Sequence, residues 1–404
     1  MSLALSGIRV VEVAQYVFVP VASGVLAEWG ADVIKIEHPV RGDAYRGLRR
    51  TGDRPTGESL NYAWEHANRG KRSLGLDLAH EDGRVVLGRL LAEADVLITN
   101  LLPASRARLR LEDEDVRGDN PRIVYARGTA LGERGPERDR GGFDHATFWA
   151  RSGAQHGATP EEADRPAPMP SGAFGDSTGG LVLAGGIAAA LFQRERTGLG
   201  TTVDLSLLGL GMWSMASAIT GAMHSGEALP RMPRAPLFNP LAGTYRTADD
   251  RWIALGLLQG FHQWPDFCLA VDRTDWLDDP RFVTADVFQE NGATLISELD
   301  ALFGSRDLET WRATLSTLDA VWEVAQDPLE ASRDPQALAN GHVAELESGN
   351  GEAFRLVASP LQFGGAPNQP APAPEAGQHT EEILQELGLD WDEIGKLKER
   401  GAIT

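Results

Sequence analysis

The sequence predicts an α/β protein whose larger part is a doubly wound parallel sheet and whose smaller part is of α+β type. Three observations carry this. The chain opens strand–helix–strand: IRVVEV (8–13), PVASGVLAEW (20–29) and ADVIKIE (31–37). That order calls for a parallel sheet covered by helices. The alternation of strands and helices then continues, until the Pro-dense PRMPRAPLFNP (230–240) breaks it. After the break, GTYRTADDRWIALGL (243–257) reads as a hairpin, the mark of a different local architecture.

Each element has its own warrant. IRVVEV is rich in β-branched residues and reads as a buried strand. Pro20 suits a first helical turn, and Gly30 suits the C-cap of the same helix. KRSLGLDL (71–78), ADVLITN (94–100) and NPRIVYA (120–126) are further strands, with an amphipathic helix at 80–93. SGAFGDSTGGLVLAGGIAAALFQRER (171–196) reads as a Gly-rich turn ending in Asp176, then a long helix of small residues from Ser177 to about Arg194. TTVDLSLLGLGMWSMASAI gives a strand and a helix, and helices are expected at about 262–271, 285–303 and 307–317. FRLVASPLQF is strand-like, and APNQPAPAPEAG (366–377) is an extended polyproline arm lying across a surface. HTEEILQELG and WDEIGKLKERG close the chain as helices.

Composition excludes several classes. With 404 residues, 42% of them apolar, the chain can bury a large core. A net charge of −20 argues against nucleic-acid and anionic-membrane partners, which call for a basic surface. MSLALSGIRVVEVA lacks the basic start of a signal peptide, and no apolar run is read as reaching membrane-spanning length. Cys268, the single cysteine, lies in the apolar run FCLAV; it reads as a buried structural thiol in a reducing, cytoplasmic setting. The first strand is followed by no G-x-G-x-x-G, so no nicotinamide cofactor is expected. The nine histidines form no ligand pattern, so no metal is expected.

Against the acidic whole, residues 41–72 are basic. Arg41, Arg46, Arg49, Arg50, Arg54, Arg69, Lys71 and Arg72 stand there against four acidic residues. Such side chains on strand-end loops can hold phosphates; a solvated charged loop is the plainer alternative. Asn100 falls at the C-terminal end of its strand, where open α/β sheets bind ligands, and Arg106, Arg108 and Arg110 follow. Asp176 is a carboxylate at a helix start with glycines beside it. Taken by itself, an aspartate before S-T-G-G is an ordinary N-cap. His379, in G-x-H-T, reads as a cap or orienting group for the closing helix.

Several motifs stand in a fixed order: GADVIKIE, GD-x-x-R at Gly42–Arg46, N-x-x-KRS at Asn68–Ser73, ADVLITN, NPRIVYA, GDSTG at 175–179, W-P-x-F-C from Trp264, DDPRF at 278–282, and G-x-H-T at Gly377–Thr380. This set resembles the family III CoA-transferases, the CaiB/BaiF group, over nearly the whole chain. The resemblance implies a Rossmann-like, CoA-binding large domain made from both ends of the chain (1–229 and 336–404), a small domain at 230–335, and an interlocked homodimer. It implies coenzyme A as substrate and product, no permanently bound cofactor, and a carboxylic acid as acceptor. Asp176 matches the family's covalent nucleophile, and Asp144, in GGFD, matches a position that is acidic in the family. Asn100 and Arg108 match residues lining the CoA site, and the loop around His38–Arg41 meets the adenosine phosphate region. His38 stands where the family often has a cation, so Arg41 or Arg46 is available for that role; Lys71 and Arg72 complete the expected CoA-binding set. The glutamine that follows the first strand in formyl-CoA transferase is replaced by Val17, with Gln15 two residues earlier. The Gly-rich loop that covers that enzyme's active site has no counterpart between 212 and 260. Both departures point away from formyl and oxalate, toward a medium or branched acyl group.

The implied reaction is acyl-CoA:carboxylate CoA transfer through aspartyl anhydride and aspartyl-CoA intermediates. A helix N-terminus would favour the aspartate anion, by roughly 0.3–1 kcal/mol when exposed and up to about 2 when partly buried. The N–H groups of Gly179 and Gly180 would support the developing oxyanion. The family's α-methylacyl-CoA racemases need a second base, a histidine in G-H-D; here the motif reads Gly142-Phe143-Asp144, and Phe143 cannot exchange a proton. Transferase is therefore preferred over racemase. A non-catalytic acyl-CoA binder, in which Asp176 only caps its helix, is the third reading.

Overall fold

Six strands between Arg9 and Ser206 assemble as one sheet. β1 (Arg9–Val13), β2 (Asp32–Glu37), β3 (Arg72–Gly75), β4 (Val96–Thr99), β5 (Val124–Thr129) and β6 (Thr202–Ser206) pair only in parallel, in the spatial order β3-β2-β1-β4-β5-β6. Val10 faces Val33 on one side and Val96 on the other. The computed structural model describes residues 3–48, 50–51, 54–55, 60–231, 239–349 and 351–404. Most of PRMPRAPLFNP, read as a boundary, lies outside them.

The chain divides into two compact units. The larger comprises 1–158, 166–229 and 335–404; the smaller comprises 159–165 and 230–334. In the larger, α1 (Phe18–Glu28) and α6 (Phe174–Thr197) cover one face of the sheet, burying Val21, Val25, Leu183 and Ile187 against Val10, Val96 and Ala126. The other face carries α3 (Glu81–Glu93), α5 (Asp113–Asp119) and the closing helices α7 (Thr380–Glu386) and α8 (Trp391–Glu399), packed on Val11, Ile34, Leu97 and Tyr125. Strands buried on both faces need the apolar runs seen in the sequence.

In the smaller unit, Thr244–Arg246, Trp252–Leu255 and Trp322–Val324 form an antiparallel sheet. Its core is aromatic: Trp264 stacks on Trp276 at 5.4 Å, edge-on to Phe282 and Phe288. Cys268 is buried there. The expected helix over 285–303 is broken at Asn291, and a strand at Val343–Glu347, paired with Ala353–Val357, lies where none was expected.

The expectation that no apolar stretch reaches membrane-spanning length is corrected by α6. This 24-residue helix is long and apolar enough by length and composition. Half of its most apolar window is buried within the larger unit, where Arg194 is ion-paired to Asp95 at 2.7 Å.

The polyproline arm lies across its own unit. Pro372 O accepts from Gly70 N–H (3.3 Å), Ala373 N–H donates to Glu65 (2.8 Å), and Arg46 donates to Pro374 O (3.0 Å). Arg46 belongs to a buried charge cluster at the C-terminal ends of β1 and β2. Glu12 accepts from Lys35 and Lys71 at 2.6 Å each, and Lys35 also meets Asp43 at 2.9 Å. Glu37 receives both arms of the Arg46 guanidinium at 2.7 Å and the Ser73 hydroxyl at 2.6 Å. Burial alone would push the Glu12 carboxyl up; the Lys35 and Lys71 ammoniums override it and hold the group down at about 2.

Glu12→Gln leaves the buried Lys71 ammonium without a carboxylate and Lys35 with Asp43 alone. It is expected to cost about 3–5 kcal/mol of folding stability, read as a lower urea midpoint at unchanged slope. A loss below about 1 kcal/mol would show that the cluster does not hold the strand ends.

Candidate active site

The strand order reverses between β1 and β4, and open α/β sheets bind ligands at such a point, beyond the C-terminal ends of the strands. A cavity of about 480 Å³ opens there, lined by Gln15, Tyr16, Asn100, Gly128, Phe143 and Asp176, among others. Asn100 clamps the turn after β1: its Oδ1 accepts from Gln15 N–H (3.0 Å) and its Nδ2 donates to Gln15 O (2.6 Å). Gln15 therefore faces the same cavity as Asp176.

The start of α6 differs from the sequence reading. The helix begins at Phe174, its N-cap is Ala173 at φ 61°, and Ser177 N–H already donates to Ala173 O at 2.8 Å. Asp176 is thus the third helical residue and not the cap. The free amides of this end belong to residues 173–176, while those of Gly179 and Gly180 lie within the helical ladder. Both glycines serve contact with α1. A Cβ on Gly179 would stand 2.6 Å from the Phe18 ring, and one on Gly180 would stand 2.5 Å from Val21. Their expected role as oxyanion donors is corrected to one of close packing.

Asp176 is buried, and burial first, then the nearby Asp144 carboxylate, pushes its pKa up to about 7. Burial outweighs the favour that a helix N-terminus gives the anion. A helix terminus offers at most about 2 kcal/mol, whereas a pKa raised from 3.8 to about 7 corresponds to about 4 kcal/mol. Asp144 is buried as well; its Oδ1 accepts from His145 N–H (2.7 Å), and its Oδ2 has no hydrogen-bond partner among the described residues. His145 itself is exposed.

Sequence reasoning missed several neighbours. Tyr45 lies in the field of this pair: burial first, then the Asp176 charge, pushes its phenol up to about 12. His66, on α2 (Tyr62–Asn68), places Nε2 2.9 Å from the hydroxyl of Ser177. Burial, then Arg69, pushes His66 down to about 4, so it is neutral at pH 7. The two residues lie 111 positions apart, and no local spacing links them. Arg138 and Arg140, from the Gly-rich loop after β5, also line the cavity.

The basic residues divide in two. A second cavity, of about 340 Å³, shares Gln15, Leu101 and Ser105 with the first and brings together His38, Arg41 and Arg108. Arg41 and Arg108 are exposed and make no ion pair among the described residues. The His38 Nδ1 accepts from Val40 and Arg41 N–H (3.1 and 3.3 Å). The other expected cations are turned inward. Lys71 is buried, its three donors taken by Glu12, Pro20 O and Asn68. Arg46 is held by Glu37 and stacked 3.8 Å over Trp64. Arg72 pairs with Asp32 and Glu386 at the opposite, N-terminal end of the strands. The geometry leaves these three no free donor face for a phosphate in either cavity. Arg49 and the side chain of Arg54 lie outside the described residues.

A parallel α/β sheet with a buried carboxylate, and cations that make no ion pair among the described residues, at its switch point is suited to an anionic ligand. Comparison with known proteins specifies the family. Residues 5–380 match the model of CoA-transferase family III, and the chain belongs to that family. It is a family III CoA-transferase. It is 32% identical to (R)-2-hydroxy-4-methylpentanoate CoA-transferase of Clostridioides difficile, with 98% of each chain covered. It is 30% identical to cinnamoyl-CoA:phenyllactate CoA-transferase of Clostridium sporogenes, over 97% of this chain and 95% of that one. Among solved structures, a CaiB/BaiF family protein from Brucella suis matches with a TM-score of 0.82 at 26% identity, covering 96% of this chain and 100% of that one. Rv3272 from Mycobacterium tuberculosis, also solved as an aspartate-to-alanine mutant, matches with a TM-score of 0.78 at 28% identity, covering 94% and 98%.

Two outcomes follow from the raised Asp176 pKa. Its folded value lies above the ordinary 3.8, so the cost of burying it is absent well below pH 4, grows as pH rises from about 4 to about 7, and is constant above that. Asp176→Asn should therefore gain stability relative to the parent as pH rises between those limits, by up to about 4 kcal/mol in urea unfolding; a difference independent of pH would contradict the assignment. Asp144→Asn removes the neighbouring charge and is expected to move the acidic limb of the kcat/KM profile to lower pH.

Proposed function

We propose that this enzyme moves coenzyme A between an acyl-CoA and a carboxylic acid through covalent intermediates on Asp176. The observation that carries the reading is the Asp176 carboxylate itself, buried with no ion pair among the described residues and open to a cavity that adjoins the one holding His38, Arg41 and Arg108. The cations would take the phosphates of CoA, and the thioester would reach Asp176 along the strand ends.

Transfer between carboxylic acids is nearly thermoneutral, so the thioester's activation must be conserved. Asp176 attacks the thioester carbonyl, the C–S bond breaks, and an acyl–aspartyl anhydride and CoA thiolate form. The thiolate attacks the aspartyl carbonyl, releasing the donor acid and leaving aspartyl-CoA. The acceptor carboxylate displaces the thiolate to give a second anhydride. Thiolate attack on the acceptor's carbonyl frees Asp176 and completes the new thioester. Each step exchanges one anionic nucleophile for another, with no net proton transfer. Desolvation suits this chemistry, because an ionised carboxylate of raised pKa is the stronger nucleophile. Tyr45, held protonated, supplies a neutral hydrogen-bond donor in the field of the reacting group.

Relatives named for 4-methyl-branched and phenyl-bearing 2-hydroxy acids support acceptors of that class. Phe143, exposed on the cavity in place of a proton-exchanging residue, disfavours a racemase. We take the working form to be a cytoplasmic homodimer; exposed apolar residues such as Phe192, Trp213 and Met223 support a partner for the larger unit.

Asp176→Ala is expected to lower transfer from acyl-CoA to 2-hydroxy acids by more than about a thousandfold while the protein still binds acyl-CoA. Retention of transfer at parental rate would overturn the reading.

A further inference from the structure

We propose that Tyr16 and Phe143 form the acyl-selective wall of this site, fitted to a branched aliphatic or aryl acyl group. The inference rests on the reading of the Asp176 cavity as the acyl-transfer site. Both side chains line that cavity, and both remain exposed, 42% for Tyr16 and 62% for Phe143. Their rings meet edge to face, with centroids 5.6 Å apart and planes at 83°. Two contacting aromatic rings left open on a cavity rim form an apolar surface that a ligand can cover.

Each ring is held from its own side. Tyr16 adopts φ 67°, a left-handed conformation unusual for a bulky residue. Gln15, just before it, is tied to Asn100 by two hydrogen bonds. The Tyr16 N–H donates to Asp43 Oδ1 at 3.3 Å, and Asp43 is held by Lys35. The charge cluster at the strand ends therefore fixes the Tyr16 backbone. On the other side, Phe143 O accepts from the Thr147 hydroxyl (2.8 Å) and the Thr147 N–H (3.0 Å). Gly142 packs so closely that an added Cβ would stand 2.8 Å from Thr147 Cγ2. Strained or over-determined backbone of this kind gathers at ligand clamps.

The rest of the wall agrees in chemistry. Val17, Phe18, Leu101, Leu102 and Leu207 continue the apolar lining toward Asp176. A formyl or acetyl group would leave these rings uncovered, whereas a 4-methylpentanoyl or phenylpropanoyl group would cover them.

The test is titration calorimetry in the Asp176→Ala background, which removes turnover. Acetyl-CoA, 4-methylpentanoyl-CoA and 3-phenylpropanoyl-CoA are the probes. The bulky thioesters should bind at least about tenfold more tightly than acetyl-CoA. Adding Phe143→Ala or Tyr16→Asn should shrink that ratio severalfold to about tenfold; asparagine tolerates the positive φ. The two substitutions act on opposite sides of the rim, so either folded variant suffices. A ratio near one in the Asp176→Ala protein, or a ratio unmoved by a folded variant, overturns the proposal. Discrimination in binding by a parent protein that transfers no CoA would uphold the wall and refute the covalent role of Asp176.

Discussion

The Glu12 carboxylate, fully buried between Lys35 and Lys71, is the point on which the ligand-binding end of the larger unit depends. One strand contributes the anion and the next contributes Lys35. Asp43, on the loop after β2, is joined to them through Lys35, and Lys71 precedes β3. Removing any member would leave a charge in the core, a penalty of several kcal/mol. The cluster therefore fixes the loops that follow β1 and β2 more firmly than surface ion pairs could. Tyr16, Asp43 and Tyr45 owe their places to it, and all three bear on the Asp176 cavity or its electrostatics.

The chemistry then turns on a contest between two effects at the start of α6. A helix terminus stabilises a carboxylate, and burial beside a second carboxylate destabilises it. Burial is the larger, and Asp176 is poised near neutrality. Glycines at 179 and 180 make the position possible by letting α6 close on α1, which sinks the first turn of α6 beside the end of the sheet.

Much of this was legible in the sequence. Strands buried on both faces must be apolar throughout, so the six-stranded parallel sheet and the mixed α/β class followed from RVVEV, DVIKIE and VLIT. Asp176 stands out through the resemblance of GDSTG to the family's motif; by itself an aspartate before S-T-G-G reads as a helix cap. What stayed hidden depends on partners distant in the chain. Counting cations over 41–72 does not separate Arg41, which makes no ion pair among the described residues, from Lys71 and Arg72, which are bonded to Glu12 and to Glu386. Glu12 sat unnoticed inside an apolar strand, since a polar residue there looks like an interruption until its two lysines are in place. His66 meets Ser177 only through the packing of α2 at the start of α6. The helix starts three residues before Ser177 because its cap is Ala173, in a left-handed conformation, which carries no side-chain signal for a cap.

The covalent role of Asp176 is tested most directly by trapping. The enzyme would be incubated with an acyl-CoA donor alone, quenched with hydroxylamine or borohydride, and mapped by peptide mass spectrometry. The account predicts a modification confined to Asp176, in the peptide spanning Phe174–Arg194, and dependent on the donor. Donor-dependent transfer with no modification of that peptide, or with modification at another residue, would contradict it.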